Sequence, residues 1–279
     1  MQHVQQNNTM KVGQFRIEKV LKQGNFARLL IVSLLIMFPV QVMAQASGGQ
    51  IRRNNTTSTA IKKKKKPNLP PNSVKLDDGT IVQYETTQAV DLGLPSGTIW
   101  AGWNIGAKSP LEVGTYYAWG ETEEKDIYDW NTYFDIESLQ KDIFGKIVKL
   151  NFYKYKVNGS LSIIGTRKDV AYIKWGEQWQ MPTKNQIMEL RSECRVSLIE
   201  LSDKKMYAVF IGPNGKSILF PMCGSKFENK IENNRELIWS GEIINARNAD
   251  DRAYSLGLYG DYPQNSRCCG MNVRAVRKY

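Results

Sequence analysis

Residues 182–220 read PTKNQIMELRSECRVSLIELSDKKMYAVFIGPNGKSILF, and the fold class turns on how this stretch divides. Its first part is helical. Thr183 is a capping residue, and Gln186 follows three positions later, the T-x-x-Q spacing of a capping box. Ile187, Leu190 and Cys194 then recur at helical spacing on one face. Its last part is extended. Residues 207–211 (YAVFI) are β-branched and aromatic, Pro213-Asn214-Gly215 supplies turn chemistry, and residues 217–220 (SILF) return as a second strand. A helix followed by a hairpin, with no βαβ alternation around it, predicts an α+β domain rather than a parallel α/β sheet.

Working outward, the same pattern continues toward the C-terminus. Further strands are predicted at Leu237–Trp239, Ala253–Leu258 and Asn272–Val276. Toward the N-terminus the pattern weakens, and residues 120–170 read as loops or a short helix. All seven tryptophans lie between Trp100 and Trp239. Aromatic side chains of this size dominate cores, so one tryptophan-rich core is expected across that span.

The N-terminal third is different in kind. Residues 29–40 (LLIVSLLIMFPV) follow Arg28 and lead to Val42-Met43-Ala44-Gln45-Ala46. A positive flank, a short apolar run and small residues at Ala44 and Ala46 are the marks of a cleavable export signal. The run falls short of the ~20 residues that a membrane-spanning helix needs. Residues 45–75 are polar, hold prolines at 67, 70 and 71, and carry five consecutive lysines, Lys62 to Lys66. Like charges repel and extend a chain, so a disordered linker is expected. The predicted organisation is a signal over 1–44, a basic linker over 45–75 and one domain over 76–279. The predicted location is outside the cytoplasm, in a periplasm, at a cell surface or in the medium, with no membrane span left after cleavage at Ala44.

Charge bears on function once it is divided by segment. The formal net charge is +11. The first 46 residues carry five cations against one acid, and residues 47–75 carry eight cations and no acid, so residues 76–279 net −1. Nucleic-acid binders concentrate Lys and Arg on the folded surface. Here the excess lies outside the predicted fold, and no nucleic-acid partner is expected. The single histidine is His3, within the predicted signal. The exported domain then has no histidine for Ser-His-Asp or Cys-His nucleophile systems, or for a His-ligated zinc. No metal, no cofactor and no catalytic residue is expected.

A longer set of motifs carries a resemblance. Residues 89–98 (AVDLGLPSGT), then Ile99-Trp100-Ala101 and Asn104-Ile105-Gly106-Ala107, resemble the opening of the FISUMP domain (Fibrobacter succinogenes major paralogous domain). Residues 114–122 (GTYYAWGET), with Trp119 and Glu121, resemble its next block, as do residues 179–184 (WQMPTK), with Trp179 and Pro182. Trp239-Ser240 and residues 270–276 (GMNVRAV), with Arg274, resemble its closing block. Three departures are Ala275, where that block commonly has proline, Gly241, where more serine usually follows Trp239-Ser240, and residues 134–165, which read as an insertion. The resemblance covers about residues 88–277. It implies a C-type-lectin-like domain in a secreted or surface protein, with few helices and late hairpins, whose late loop-rich part presents a binding face.

Four cysteines, Cys194, Cys223, Cys268 and Cys269, lie in the domain, and export would permit disulfides. Neighbouring Cα atoms about 3.8 Å apart are too close for a Cys268–Cys269 bridge. Cys194 reads as a buried hydrophobe on the helix. The sugar-binding triplets E-P-N and Q-P-D of calcium-dependent lectins are absent, so calcium is not expected. Asp91 and Glu121 are the carboxylates a glycan hydrolase could use, although Glu121 reads first as a turn-fixing residue bonded to backbone N–H.

Residues 243–267 are rich in Asn, Arg, Asp and Tyr, the adaptable and rigid contacts typical of recognition surfaces. The candidate ligand-binding residues are Asn245, Arg247, Asn248, Tyr259, Tyr262 and Asn265. The expectation is a non-enzymatic binding or adhesion module for a glycan or surface protein. The alternatives are a carboxylate-dependent glycan hydrolase and a structural component of a surface assembly.

Overall fold

The capping box forms as the spacing predicts. In the computed structural model, Thr183 Oγ1 accepts from Gln186 N at 3.0 Å while Gln186 Oε1 accepts from Thr183 N at 2.9 Å. The structure describes residues 69–232, 236–244, 250–258 and 264–277, within the compact unit Asn68–Tyr279. The apolar run 29–40, the cleavage position Ala44 and the lysine run lie outside the described residues.

In chain order the elements are β1 (Ser73–Lys75), β2 (Ile81–Gln83), β3 (Ala89–Asp91), β4 (Ile99–Ala101), β5 (Ser138–Lys141), β6 (Ile147–Asn151), β7 (Lys156–Val157) and β8 (Ser160–Leu161). Two helices follow, α1 (Val170–Trp175) and α2 (Lys184–Glu193). Then come β9 (Arg195–Glu200), β10 (Met206–Ile211), β11 (Ser217–Pro221), β12 (Ser225–Phe227), β13 (Lys230–Glu232), β14 (Glu236–Ile243), β15 (Arg252–Gly257), β16 (Gln264–Ser266) and β17 (Val276–Arg277). The strands form small antiparallel sheets, ordered β11-β10-β9, β14-β15-β16 and β17-β4-β3, with four two-stranded hairpins. The chain is thus a β-rich α+β domain with few helices.

Several expectations need correction. The domain starts before residue 76: Ser73–Lys75, assigned to the linker, pairs with Ile81–Gln83 and buries Val74. Strand β9 went unpredicted because Arg195–Glu200 lacks a clean alternation, yet it completes the sheet by pairing with Met206–Ile211. Residues 120–170 contain two hairpins, β5–β6 and β7–β8, before α1 begins. Asn272–Ala275 is not a strand. Its carbonyls are taken singly, Asn272 O by Trp239 N, Val273 O by Ile105 N and Ala275 O by Ala101 N. Only Val276 joins the ladder, opposite Trp100.

The core is threefold rather than single. The largest cluster holds Trp119, Trp179 and Trp239 with Tyr117, Tyr128 and Met271. A second packs Trp100 with Phe210, Phe220, Ile187 and Leu190, seating α2 against the β9–β11 sheet. A third gathers Val74, Val82, Tyr207 and Leu219. All four cysteines are free and buried. Burial pushes the Cys194 and Cys223 thiols up to about 12, as expected when the charged form loses its water.

Among the described residues no helix is long and apolar enough to cross a membrane.

Candidate functional site

Arg267 directly follows β16 and is wholly buried. A buried guanidinium needs acceptors for its fork of donors, and it has them. Nη2 reaches Asp135 Oδ2 at 2.7 Å, Nε donates to Tyr133 Oη at 3.1 Å, and Nη1 donates to the Asp250 carbonyl at 3.3 Å. Its carbon lies over the rings of Trp119, at 4.6 Å, and Phe152, at 4.9 Å. One side chain therefore ties the tryptophan core to Phe152 and to the Asp250 turn.

Asp135 is the counter-charge and is equally buried. Its Oδ1 accepts from Tyr155 Oη at 2.5 Å and from Lys168 Nζ at 2.8 Å. Desolvation, and then the bond to Asp135, pushes the Tyr155 phenol well above its ordinary range. Desolvation does the same for Tyr133, whose hydroxyl donates to Trp119 O at 2.7 Å. Both tyrosines stay neutral donors. Gly120 makes the approach possible: it sits at φ +80°, and a Cβ there would meet Asp135 Oδ2 at 2.8 Å.

This scaffold positions an open groove of about 470 Å³, lined by Glu137, Leu150, Asn151, Phe152, Lys154, Asp250 and Asp251. β6 supplies Leu150 and Asn151. The Asn151 amide is held by its donation to Ser138 Oγ at 2.7 Å. Lys154 Nζ meets Asp250 Oδ2 at 3.0 Å across the groove, with both side chains substantially exposed. A pair so exposed adds little stability and can exchange its bond for one to a ligand. The groove thus combines an aromatic ring, an aliphatic side chain, an amide, a cation and three carboxylates. That set suits orientation of a polar, hydroxyl-bearing molecule.

The sequence-predicted residues fall in three groups. Asn245, Arg247, Asn248, Tyr259 and Tyr262 lie outside the described residues. Asn265 stands in β16 opposite Ala253. Its Nδ2 is buried without a partner among the described residues, and it is not part of the groove lining. The groove nevertheless takes Asp250 and Asp251 from the predicted stretch 243–267.

The motif residues are built into the core. Trp119 Nε1 donates to Ser240 O at 2.8 Å and Trp239 Nε1 to Tyr117 O at 2.9 Å. Trp100 lies edge-on to Phe220, and Trp179 edge-on to Trp175. The Pro182 carbonyl accepts from Gly241 N at 2.9 Å. Arg274 is fully buried with no carboxylate among its bonds: Nε donates to Asn104 Oδ1 at 2.8 Å, Nη1 to Ala101 O at 3.1 Å and Nη2 to Leu219 O at 2.8 Å. It sits 4.2 Å from the Phe220 ring. Burial lowers its pKa, while three carbonyl-type acceptors hold the charge in place.

Glu121 Oε1 accepts from Phe134 N at 2.7 Å and Oε2 pairs with Lys125 at 2.8 Å. Asp91 Oδ1 accepts from Gly93 N at 2.7 Å. Asp91 thus fixes a local turn, whereas Glu121 ties its loop to backbone 13 positions on. Sequence reading missed Asp135 and Arg267, whose partnership spans 132 positions and follows no short-range pattern. Asp169 was missed as well. It caps α1 and also accepts from Gly165 N and Met181 N, and the signal was an aspartate directly before an apolar helical run.

Compared with protein-family models, curated proteins and solved structures, the chain matches none.

Proposed function

We propose that this protein is a secreted or surface-displayed binding module, FISUMP-like and C-type-lectin-like in type, that recognises a glycan through the groove beside β6. The observation that carries the reading is the coupling of an exposed recognition surface to a rigid support. Arg267 holds the Asp250 carbonyl and stacks on Phe152, so groove wall and groove ring share one buried anchor. Preorganised groups bind with less ordering cost than mobile ones. A phenyl ring packs against the C–H face of a sugar, while Asn151, Lys154 and the carboxylates provide donors and acceptors for hydroxyls. A surface protein presenting the same chemistry is the other partner of this class.

Export supports the reading from the sequence side. The signal-like segment ending at Ala44 and the basic tether would deliver the domain outside the cytoplasm. N-terminal sequencing of the exported protein tests this, with a start at Gln45 expected.

The binding test is a glycan array and surface-protein capture with residues 45–279, comparing wild type with Phe152→Ala and Asp250→Ala. Binding by wild type and at least tenfold loss in both folded variants is the expected result. Equal binding by all three overturns the assignment to this groove.

A second reading draws on a specific feature: Glu137, Asp250 and Asp251 line the same groove, and paired carboxylates are the machinery of glycan hydrolysis. Release of reducing ends from bound glycans, abolished in Asp250→Asn or Asp251→Asn, would favour the hydrolase over the binding module.

A further inference from the structure

The β5–β6 hairpin ends in two apolar side chains with almost no cover. Ile143 is 93% exposed and Phe144 is 88% exposed, the highest values among the large hydrophobic residues of the described structure. Exposed apolar groups scattered singly need no explanation, but neighbours at a projecting tip do. The tip is not loose chain. Asp142 N donates to Lys146 O at 2.9 Å, Gly145 N donates to Asp142 O at 3.0 Å, and Asp142 Oδ1 accepts from the backbone of Phe144 and Lys146, each at 2.9 Å. Gly145 turns the chain at φ +80° with open space around it. The hairpin therefore presents Ile143 and Phe144 on a closed, hydrogen-bonded loop.

The charges behind the tip have one sign. Lys141, Lys146 and Lys149 flank it on both strands, and all three are exposed. The one acid in the segment, Asp142, has its carboxylate engaged with the two backbone N–H groups of the turn. Val148, also exposed, extends the apolar surface along β6. An apolar point ringed by lysines matches the interface of an anionic bilayer, where the point enters the acyl boundary and the ammonium groups meet headgroup phosphates. A protein partner fits less well. Stable protein interfaces cover about 800 Å² on each side, far more than two tip side chains offer, whereas a bilayer requires no shape complementarity.

We propose that the β5–β6 hairpin is a membrane-docking finger that inserts Ile143 and Phe144 into an anionic phospholipid surface. It docks the domain peripherally without spanning the bilayer. The finger, residues 141–149, shares no residue with the groove lining, which takes only Leu150 and Asn151 from β6, so either assignment can fail alone.

The test is co-sedimentation of residues 45–279, which contain the whole compact unit and omit the apolar run, with phosphatidylglycerol–phosphatidylcholine vesicles and with phosphatidylcholine vesicles. Wild type is expected to bind the anionic vesicles, less so as salt rises, and to bind neutral vesicles at least tenfold more weakly. Ile143→Ser with Phe144→Ser is expected to lower anionic binding at least tenfold, as is the triple variant Lys141→Glu, Lys146→Glu, Lys149→Glu. Circular dichroism should show both variants folded, since none of these side chains is buried. The tether is present in every sample, so the differences report the hairpin. Phe152→Ala should leave vesicle binding unchanged. The proposal is overturned if wild type does not bind anionic vesicles, or if the serine variant binds as wild type does. It is equally overturned if the tip drives self-association or protein capture with no vesicle binding.

Discussion

Arg267 Nη2 lies 2.7 Å from Asp135 Oδ2, and neither side chain is reached by solvent. The two lie 132 positions apart in the chain, and their contact joins the tryptophan core to the groove. Lys168 and Tyr155 complete the carboxylate's shell. Removing one member of such a pair leaves an uncompensated buried charge. Asp135→Ala is therefore expected to cost about 3–5 kcal/mol, measured by urea denaturation. Arg267→Met combined with Asp135→Leu should recover part of that loss. Groove binding should still fail in the double variant, because the Asp250 carbonyl and Phe152 lose their anchor.

Arg274 is held by geometry rather than by a counter-charge. Its three donors reach three fixed oxygens and its guanidinium carbon lies over the Phe220 ring at 4.2 Å. A lysine ammonium cannot reproduce the fork or the stacking. Arg274→Lys should cost at least ~2 kcal/mol in a thermal or denaturant melt, although charge is conserved.

The helix cap gives a smaller, cleaner effect. Thr183→Ala deletes the bond to Gln186 N and frees the reciprocal one. The expected loss is ~1 kcal/mol, and Thr183→Ser should retain most of the stability. Equal stability of the alanine and serine variants would contradict the role of the box.

Alkaline pH should unfold this domain earlier than its net charge suggests. Cys194, Cys223 and the Tyr128 phenol are each raised to about 12, with desolvation as the first cause. In the unfolded chain these groups ionise near their ordinary values, ~8.5 for thiols and ~10 for phenols. Between those values and about 12 the folded state binds more protons than the unfolded one. Stability is thus full below about pH 8.5 and falls as pH rises toward 12. Denaturant melts between pH 8 and 11 should show this slope, and Cys223→Ala should flatten it. Absorbance at 295 nm should show Tyr128 and Tyr133 ionising only as the domain unfolds.

The recognition residues proposed from composition can be tested together. Replacing Tyr259, Tyr262 and Asn265 with alanine should leave the melting curve near wild type and abolish binding of any partner found. Unchanged affinity overturns the assignment of recognition to these residues.

Local chemistry made part of this protein legible in the sequence. The T-x-x-Q cap, the Pro-Asn-Gly turn and the β-branched and aromatic content of β10 and β11 are short-range signals, and each depends on neighbours within a few positions. The division of charge is likewise a property of composition: the excess of cations, and the single histidine, lie N-terminal to residue 76. Tryptophan content announced a large core, and the motif blocks named its members without saying how they meet. Only the tertiary structure decided the rest. The Arg267–Asp135 pair joins residues 132 positions apart, Arg274 finds its acceptors at Ala101 and Asn104 on one segment and at Leu219 on another, and β9 is stabilised by a neighbour rather than by its own pattern. Whether Phe144 or Phe152 is exposed or packed cannot be read from a phenylalanine alone. It depends on what the chain brings beside it: a guanidinium and an indole for Phe152, and solvent for Phe144.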